Sequence, residues 1–332
     1  MASILDSDLF AFQFPGENDD ETGDVDLPGQ LCELQRFDSH INSEGDRIVL
    51  QVGARGQAHW DDDEEEHGRD AAMILTRRFN SARQLERVDL TVHSTHIIKA
   101  MQAVIKTYPG VDLHSRFVVM SGLPMCLFHY RNEFDVYNRT LGDPVSVRHV
   151  VFALRYMQHS LRQQLATFRN FVELRPSEQT LDFLNLWMVF RPGELVYGRN
   201  DGVEMISRLK SMKMACHCRR PHCSDHYWVL TVANVSFDGT DFGYVQEYLY
   251  IYPYDGYMRL DQLHVSPFEY HLRKREITEA LNKRGNKLIS LRGSHHLQYE
   301  GIVKMHRHNQ VLHFATVQSI QVRHLSGQIR RC

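Results

Sequence analysis

At Leu181 the hydrophobic period of this chain changes, and that change limits the folds open to it. Upstream, Val150, Val151, Leu154, Met157, Leu161, Leu165, Phe168 and Val172 recur at helical spacing, which places them on one face of a helix. Downstream, Leu181–Phe190 is nearly continuous apolar sequence. Strand-like runs follow at Glu194–Gly198, Glu204–Lys213, Tyr227–Val235 and Tyr244–Tyr252. Asn200-Asp201-Gly202 and Phe237-Asp238-Gly239 separate these runs, and Asp-Gly supplies the positive φ that tight hairpins require. Helices first and a meander second define an α+β chain, its helical part packed on a small antiparallel, barrel-like meander.

Charge divides the chain differently. The first 70 residues hold 19 acidic and 4 basic side chains, a balance of −15, and the remainder balances at +12. Asp61–Glu66 is an unbroken anionic block. Such a segment buries too little apolar surface to offset its ordering entropy, so residues 1–70 are expected to be a largely disordered acidic arm. Folded sequence is expected from Ala71. Residues 71–185 would form the mainly helical half, 186–303 the β-rich half, and 304–332 a basic tail. Residues 272–332 balance at +9, which suits anionic partners: nucleic acid, the acidic arm of this chain or an acidic protein.

Within the helical half, Ala71–Phe79 and Arg87–Val92 read as strands, and Ser94 offers an N-cap to a helix that ends at Tyr108-Pro109-Gly110. Phe128–Tyr137 reads as a short helix and Val147–Glu173 as the longest one. On it Arg148, Arg155, Arg162 and Arg169 keep seven-residue spacing, close to two turns. They form one basic stripe: a solvated face, or a contact for phosphate or a partner. A further helix is expected from Phe268 to Arg284, closed by Gly285, then a short strand over Leu288–Leu291.

Tested as chemistry, few residues assemble. No Gly-x-x-x-x-Gly-Lys-Ser/Thr loop and no Gly-x-Ser-x-Gly elbow occurs in the 332 residues. Cys216, Cys218, Cys223 and His226 form Cys-x-Cys-x4-Cys-x2-His between two strands. Three thiolates and an imidazole can close a tetrahedral zinc shell of the structural kind. The alternatives are ordinary thiols in a loop, or redox sensing. Cys126 lies in an apolar run and reads as a buried small hydrophobe. Trp187, Phe190 and Tyr197 read as core. Tyr248, Tyr250 and Tyr252 share one strand face, as a ladder packed on a helix or a stacking face for single strands. Six scattered cysteines, no secretory signal pattern at Met1 and no long uncharged apolar run point to an intracellular protein of cytoplasm or nucleus, off the membrane.

Five blocks in order carry a resemblance: Ser94–Ala100 with Tyr108-Pro109-Gly110; Leu127–Arg131; Leu186–Tyr197; Asp238-Gly239-x-x-Phe242-Gly243; and Leu288–Gly293 with His295, His296, Tyr299 and Gly301. Over residues 71–303 the sequence resembles the uncharacterised domain that precedes a C-terminal AAA-type ATPase module in filamentous-fungal proteins. The resemblance implies a non-catalytic accessory or recognition domain that engages a protein substrate, an adaptor or the motor. It supplies no catalytic residue. Such relatives continue into Walker A, Walker B and arginine-finger elements, which have no counterpart here, so ATP is not expected to bind this chain. The alternative, from a different class, is a nucleic-acid-binding module using the arginine stripe and the basic C-terminal region.

Overall fold

A computed structural model describes residues 28–52, 58–60, 68–200, 203–216, 226–237 and 241–290, with four short strands at 295–297, 303–307, 310–314 and 320–322. The fold is α+β, and the chain divides into two compact units at Arg191/Pro192.

The first unit is built on a six-stranded sheet. Its strands are β1 (Leu31–Ile41), β2 (Arg47–Gln51), β3 (Ala58–Trp60), β4 (Ala71–Phe79), β5 (Leu85–Val92) and β6 (Val118–Ser121), in the order β3-β2-β1-β4-β5-β6. The central pair β1/β4 is parallel and the others are antiparallel. Three of these strands, β1, β2 and β3, correct the sequence reading, because they lie within residues 1–70 and belong to the sheet and not to a disordered arm. Asp38, one of the polar letters that hid β1, is satisfied across the sheet. Arg77 clamps Asp38 through two hydrogen bonds of 2.8 and 2.7 Å. Residues 1–27, 53–57 and 61–67, Asp61–Glu66 among them, lie outside the described residues.

One face of this sheet is covered by helices. Met73, Leu75, Leu90, Val92, Val118 and Met120 alternate onto it and are buried. Helix α1 (Thr95–Ile105) starts where the sequence places it, with Ser94 Oγ accepting from Ile97 N–H. The expected short helix is two pieces, α2 (Met125–His129) and α3 (Arg131–Asn138). The long helix is also interrupted. It begins earlier, at α4 (Pro144–Ser160), because Asp143 caps it and Pro144 suits a first helical position. At Leu161 the backbone leaves the helical region, and α5 (Arg162–Phe168) resumes before a π-helical turn at Arg169–Glu173. Ser160 Oγ donates to the Met157 carbonyl, which Leu161 N–H also uses, and such shared carbonyls bend helices. A short strand β7 (Thr180–Asp182) and a 3-10 helix (Phe183–Val189) end the unit. Trp187 and Phe190 are core, as expected.

The second unit holds the meander. Strands β8 (Leu195–Asn200), β9 (Val203–Cys216), β10 (His226–Phe237) and β11 (Phe242–Ile251) pair consecutively and antiparallel, after which come β12 (Tyr257–Arg259) and β13 (Ser266–Pro267). The five-stranded order is β11-β10-β9-β8-β13. Asn200 and Val203 are partners, so two residues, Asp201 and Gly202, connect β8 to β9; they lie outside the described residues. Helix α6 (Lys274–Ser290) starts later and runs further than expected, straight through Gly285 and over the predicted strand Leu288–Leu291 up to Ser290. A helical glycine costs about 1 kcal/mol. Against that, Ile277 and Leu281 pack on Tyr197, Phe268 and Ile206, and Arg284 bonds the Glu204 carbonyl at 3.0 Å.

Candidate recognition surface

Strand β11 is the outer member of the five-stranded sheet among the described residues. Its ten residues pair with β10 from Phe242 to Ile251 in one unbroken register. The two faces of this hairpin differ. Trp228, Leu230, Val232 and Ile251 alternate onto the buried face. The opposite parity brings Tyr244, Tyr248, Tyr250 and Tyr252 into solvent at 77, 54, 41 and 57% exposure. Tyr227 joins them from β10, its ring centroid 6.0 Å from Tyr250 and 6.1 Å from Tyr252. The tyrosines are therefore not a ladder packed on a helix, and Trp228 is turned away from them. Lys213, exposed on β9, is in register with Val229 and so with Tyr250.

The edge is taken at one end: His264 Nε2 hydrogen-bonds the Tyr250 carbonyl from outside the sheet. In an antiparallel strand each residue sends its N–H and C=O to the same side. Tyr244, Gln246, Tyr248 and Tyr250 thus direct their backbone groups away from β10. Folded proteins blunt such edges with lysine, proline or a bulge. β11 contains no Lys and no Pro, and its register with β10 shows no bulge. Its one charged side chain, Glu247, accepts from Asn234 Nδ2 at 2.8 Å. What this arrangement can do chemically is hydrogen-bond an extended chain and offer it aromatic surface.

Of the four proposed zinc ligands, the structure places two. Cys216 and His226 are direct partners at the loop end of the β9/β10 hairpin; Cys218 and Cys223 lie outside the described residues. Among the described residues no three His, Cys, Asp or Glu side chains form a metal-binding group. All four arginines of the stripe are exposed, but they do not share one uninterrupted helix. Arg148 and Arg155 are on α4, Arg162 opens α5 after the break, and Arg169 opens the π-turn. Behind the first two, Cys32 of β1 points at α4, its Sγ 3.8 Å from the Arg148 carbonyl. Burial raises the Cys32 thiol to about 11, against the pull of the two guanidiniums.

Several histidines and hydroxyls of the first unit are tied into structural networks. Ser94 Oγ and His149 Nδ1 are 2.8 Å apart and buried. Because Ser94 already caps α1 as acceptor, its hydroxyl donates to the imidazole, and a backbone hydrogen bond joins the ring to Gln30. Burial lowers His149 to about 4. His96 Nδ1 contacts Ser146 Oγ at 2.7 Å, and that hydroxyl donates to Asp143 at 2.6 Å. With the serine proton committed to the carboxylate, this is a capping network and not the serine–histidine–aspartate order of a nucleophile. His93 stacks on Phe117 with centroids 4.2 Å apart. Cys126 is buried beside Met120, and desolvation pushes its thiol up to about 12.

Two of the sequence blocks meet in space. His129 Nε2 donates to the Trp187 carbonyl at 2.8 Å, and its Nδ1 accepts from Tyr108 Oη at 3.0 Å. Phe128 and Trp187 meet edge to face at 5.0 Å. Arg191 lies 3.9 Å from the Tyr130 ring centroid and pairs with Glu133.

Among known families, residues 172–272 match one described only as a domain of unknown function, DUF7025. The match spans the end of the first unit and the whole meander through β11. No curated protein and no solved structure matches the chain. No described helix is long and apolar enough to cross a membrane.

Proposed function

We propose that this chain is a non-catalytic recognition module whose β11 edge receives an extended segment of a protein partner as an added strand. The observation that carries this reading is an edge strand without lysine, proline or bulge, with a row of exposed tyrosines beside it. Backbone hydrogen bonds along Tyr244–Tyr248, short of the carbonyl that His264 takes, would supply affinity, and the gaps between tyrosine rings would select the partner's alternate side chains. The implied association with an AAA-type motor fits this role: the added strand would come from a substrate, an adaptor or the motor chain. The setting is cytoplasm or nucleus. A structural zinc held by Cys216, Cys218, Cys223 and His226 would brace the hairpin from which β10 departs.

Peptide display against the whole chain tests the reading. Selected peptides are expected to be rich in β-branched and aromatic residues and to bind in the micromolar range. Tyr248→Pro removes an N–H that points away from β10, so it is expected to abolish peptide binding while the chain stays folded. Peptides that bind Tyr248→Pro as well as the parent chain would end the proposal.

A second reading has one observation in its favour. The exposed tyrosines with Lys213 in register would also stack single-stranded bases. Steeply salt-dependent binding of oligonucleotides, weakened by Tyr250→Ala, would support it, and flat titrations at low salt would remove it.

A further inference from the structure

The sheet of the first unit has a second face, opposite the helices, and it is hollow. A cavity of about 460 Å³ opens on it, within the range of small-molecule sites. Phe37 of β1, Val49 of β2, Ile74 of β4 and Val119 of β6 give its floor an apolar surface, with the hydroxyls of Thr76 and Thr91 among them. Phe37, Val49 and Ile74 form a small buried cluster of their own, whereas Val119 is 44% exposed because nothing in the described residues covers it. Phe117, braced by its stack on His93, makes one wall.

The rim is cationic. Arg116 and Arg78 both line the opening, and no lining residue is acidic. A carboxylate on this face, Asp89, already has three partners. It takes Arg78 Nε at 2.8 Å, Arg87 Nε at 2.9 Å and Ser121 Oγ at 2.7 Å. The cation at the rim is Arg116, exposed, its guanidinium carbon 4.9 Å from the Phe117 ring centroid.

We infer that this cavity binds a small organic anion with an apolar body, such as an aryl or short-chain carboxylate. The body would rest on Phe37, Ile74 and Val119 against Phe117, and the carboxylate would meet Arg116 at the rim. A neutral apolar ligand would leave the Arg116 guanidinium unused. An inorganic anion would leave the apolar floor wet. Only a molecule with both parts answers both surfaces. This site is separate from the β11 edge and stands or falls without it.

Calorimetric titration of the whole chain with 4-phenylbutyrate and with its uncharged amide tests the inference. Saturable one-to-one binding of the acid is expected, with the amide weaker by about tenfold or more. Arg116→Ala, an exposed substitution, is expected to bring the acid down to the level of the amide. Val119→Trp is expected to abolish binding by filling the cavity. Thermal unfolding of each variant reports whether it is folded; where Val119→Trp is not, Arg116→Ala decides alone. The absence of saturable binding, equal affinity for acid and amide, or an Arg116→Ala chain that binds the acid as before would overturn the inference.

Discussion

Gly29 lies against the backbone of Ser94 so closely that a Cβ on it would stand 2.4 Å from the Ser94 nitrogen. Its φ of +75° is one that side chains rarely adopt. The neighbouring bonds, Gly29 N–H to the Arg69 carbonyl and Leu31 N–H to the Asp70 carbonyl, are both 2.8 Å. The chain just ahead of β1 is thereby fixed to the start of α1.

Gly29→Ala is expected to destabilise the first unit by about 2–4 kcal/mol, combining backbone strain with a clash that no flexible side chain can relieve. Urea unfolding followed by far-UV circular dichroism measures it. Gly45→Ala is the control, since it also has positive φ but nothing within 4 Å of the added carbon; about 1 kcal/mol is expected there. Equal effects at the two sites would mean that residues 28–31 are not part of the core.

Stability should fall on mild acidification. Burial holds both His129 and His149 at about 4, below the unfolded value of about 6.5. A depressed histidine is neutral in the fold and takes its proton in the unfolded chain first. Its contribution is therefore intact above about pH 6.5 and is lost progressively as pH falls towards 4. At pH 5 the loss is about 2 kcal/mol per histidine. Urea midpoints at pH 7.5 and 5.0 check this, and His149→Asn should shrink the difference by about half while lowering stability at both pH values. An unchanged difference would remove His149 from the account.

Zinc content follows from the hairpin. With Cys216 opposite His226 and two cysteines in the nine-residue connection, protein purified without chelator is expected to carry one zinc per chain by plasma mass spectrometry. Cys216→Ser and Cys223→Ser should each lower that occupancy by tenfold or more. Metal-free protein of full stability would reduce the four residues to an ordinary loop.

The parts of the fold legible in the sequence were those whose signal is local. Ser94 announces its cap because the acceptor and the N–H are three residues apart. Strands β4 and β5 and the meander show themselves through alternation and Asp-Gly bends. Strand β1 did not, because it is half-buried and charged, and the partner of Asp38 is Arg77, 39 residues on. Composition sees an acidic segment where the fold sees a neutralised pair. Likewise the break at Leu161 depends on which hydroxyl shares the Met157 carbonyl, and periodicity cannot register that. For the tyrosines, a period of two establishes that Tyr248, Tyr250 and Tyr252 share a face. Which face is covered is decided by Trp228, Leu230 and Ile251 facing the other way. Which strand is outermost is set by topology, and no residue in β11 announces it.

Amide hydrogen exchange along β11, with and without a display-selected peptide, tests the central claim most directly. In the free chain the outward amides of Tyr244, Gln246 and Tyr248 are expected to exchange fast, while the inward amides of Val245, Glu247 and Leu249 exchange slowly. Peptide binding should slow the outward set and leave the inward set unchanged, the mark of a strand added to the edge. Protection that appears elsewhere while Tyr244, Gln246 and Tyr248 remain fast would contradict the account.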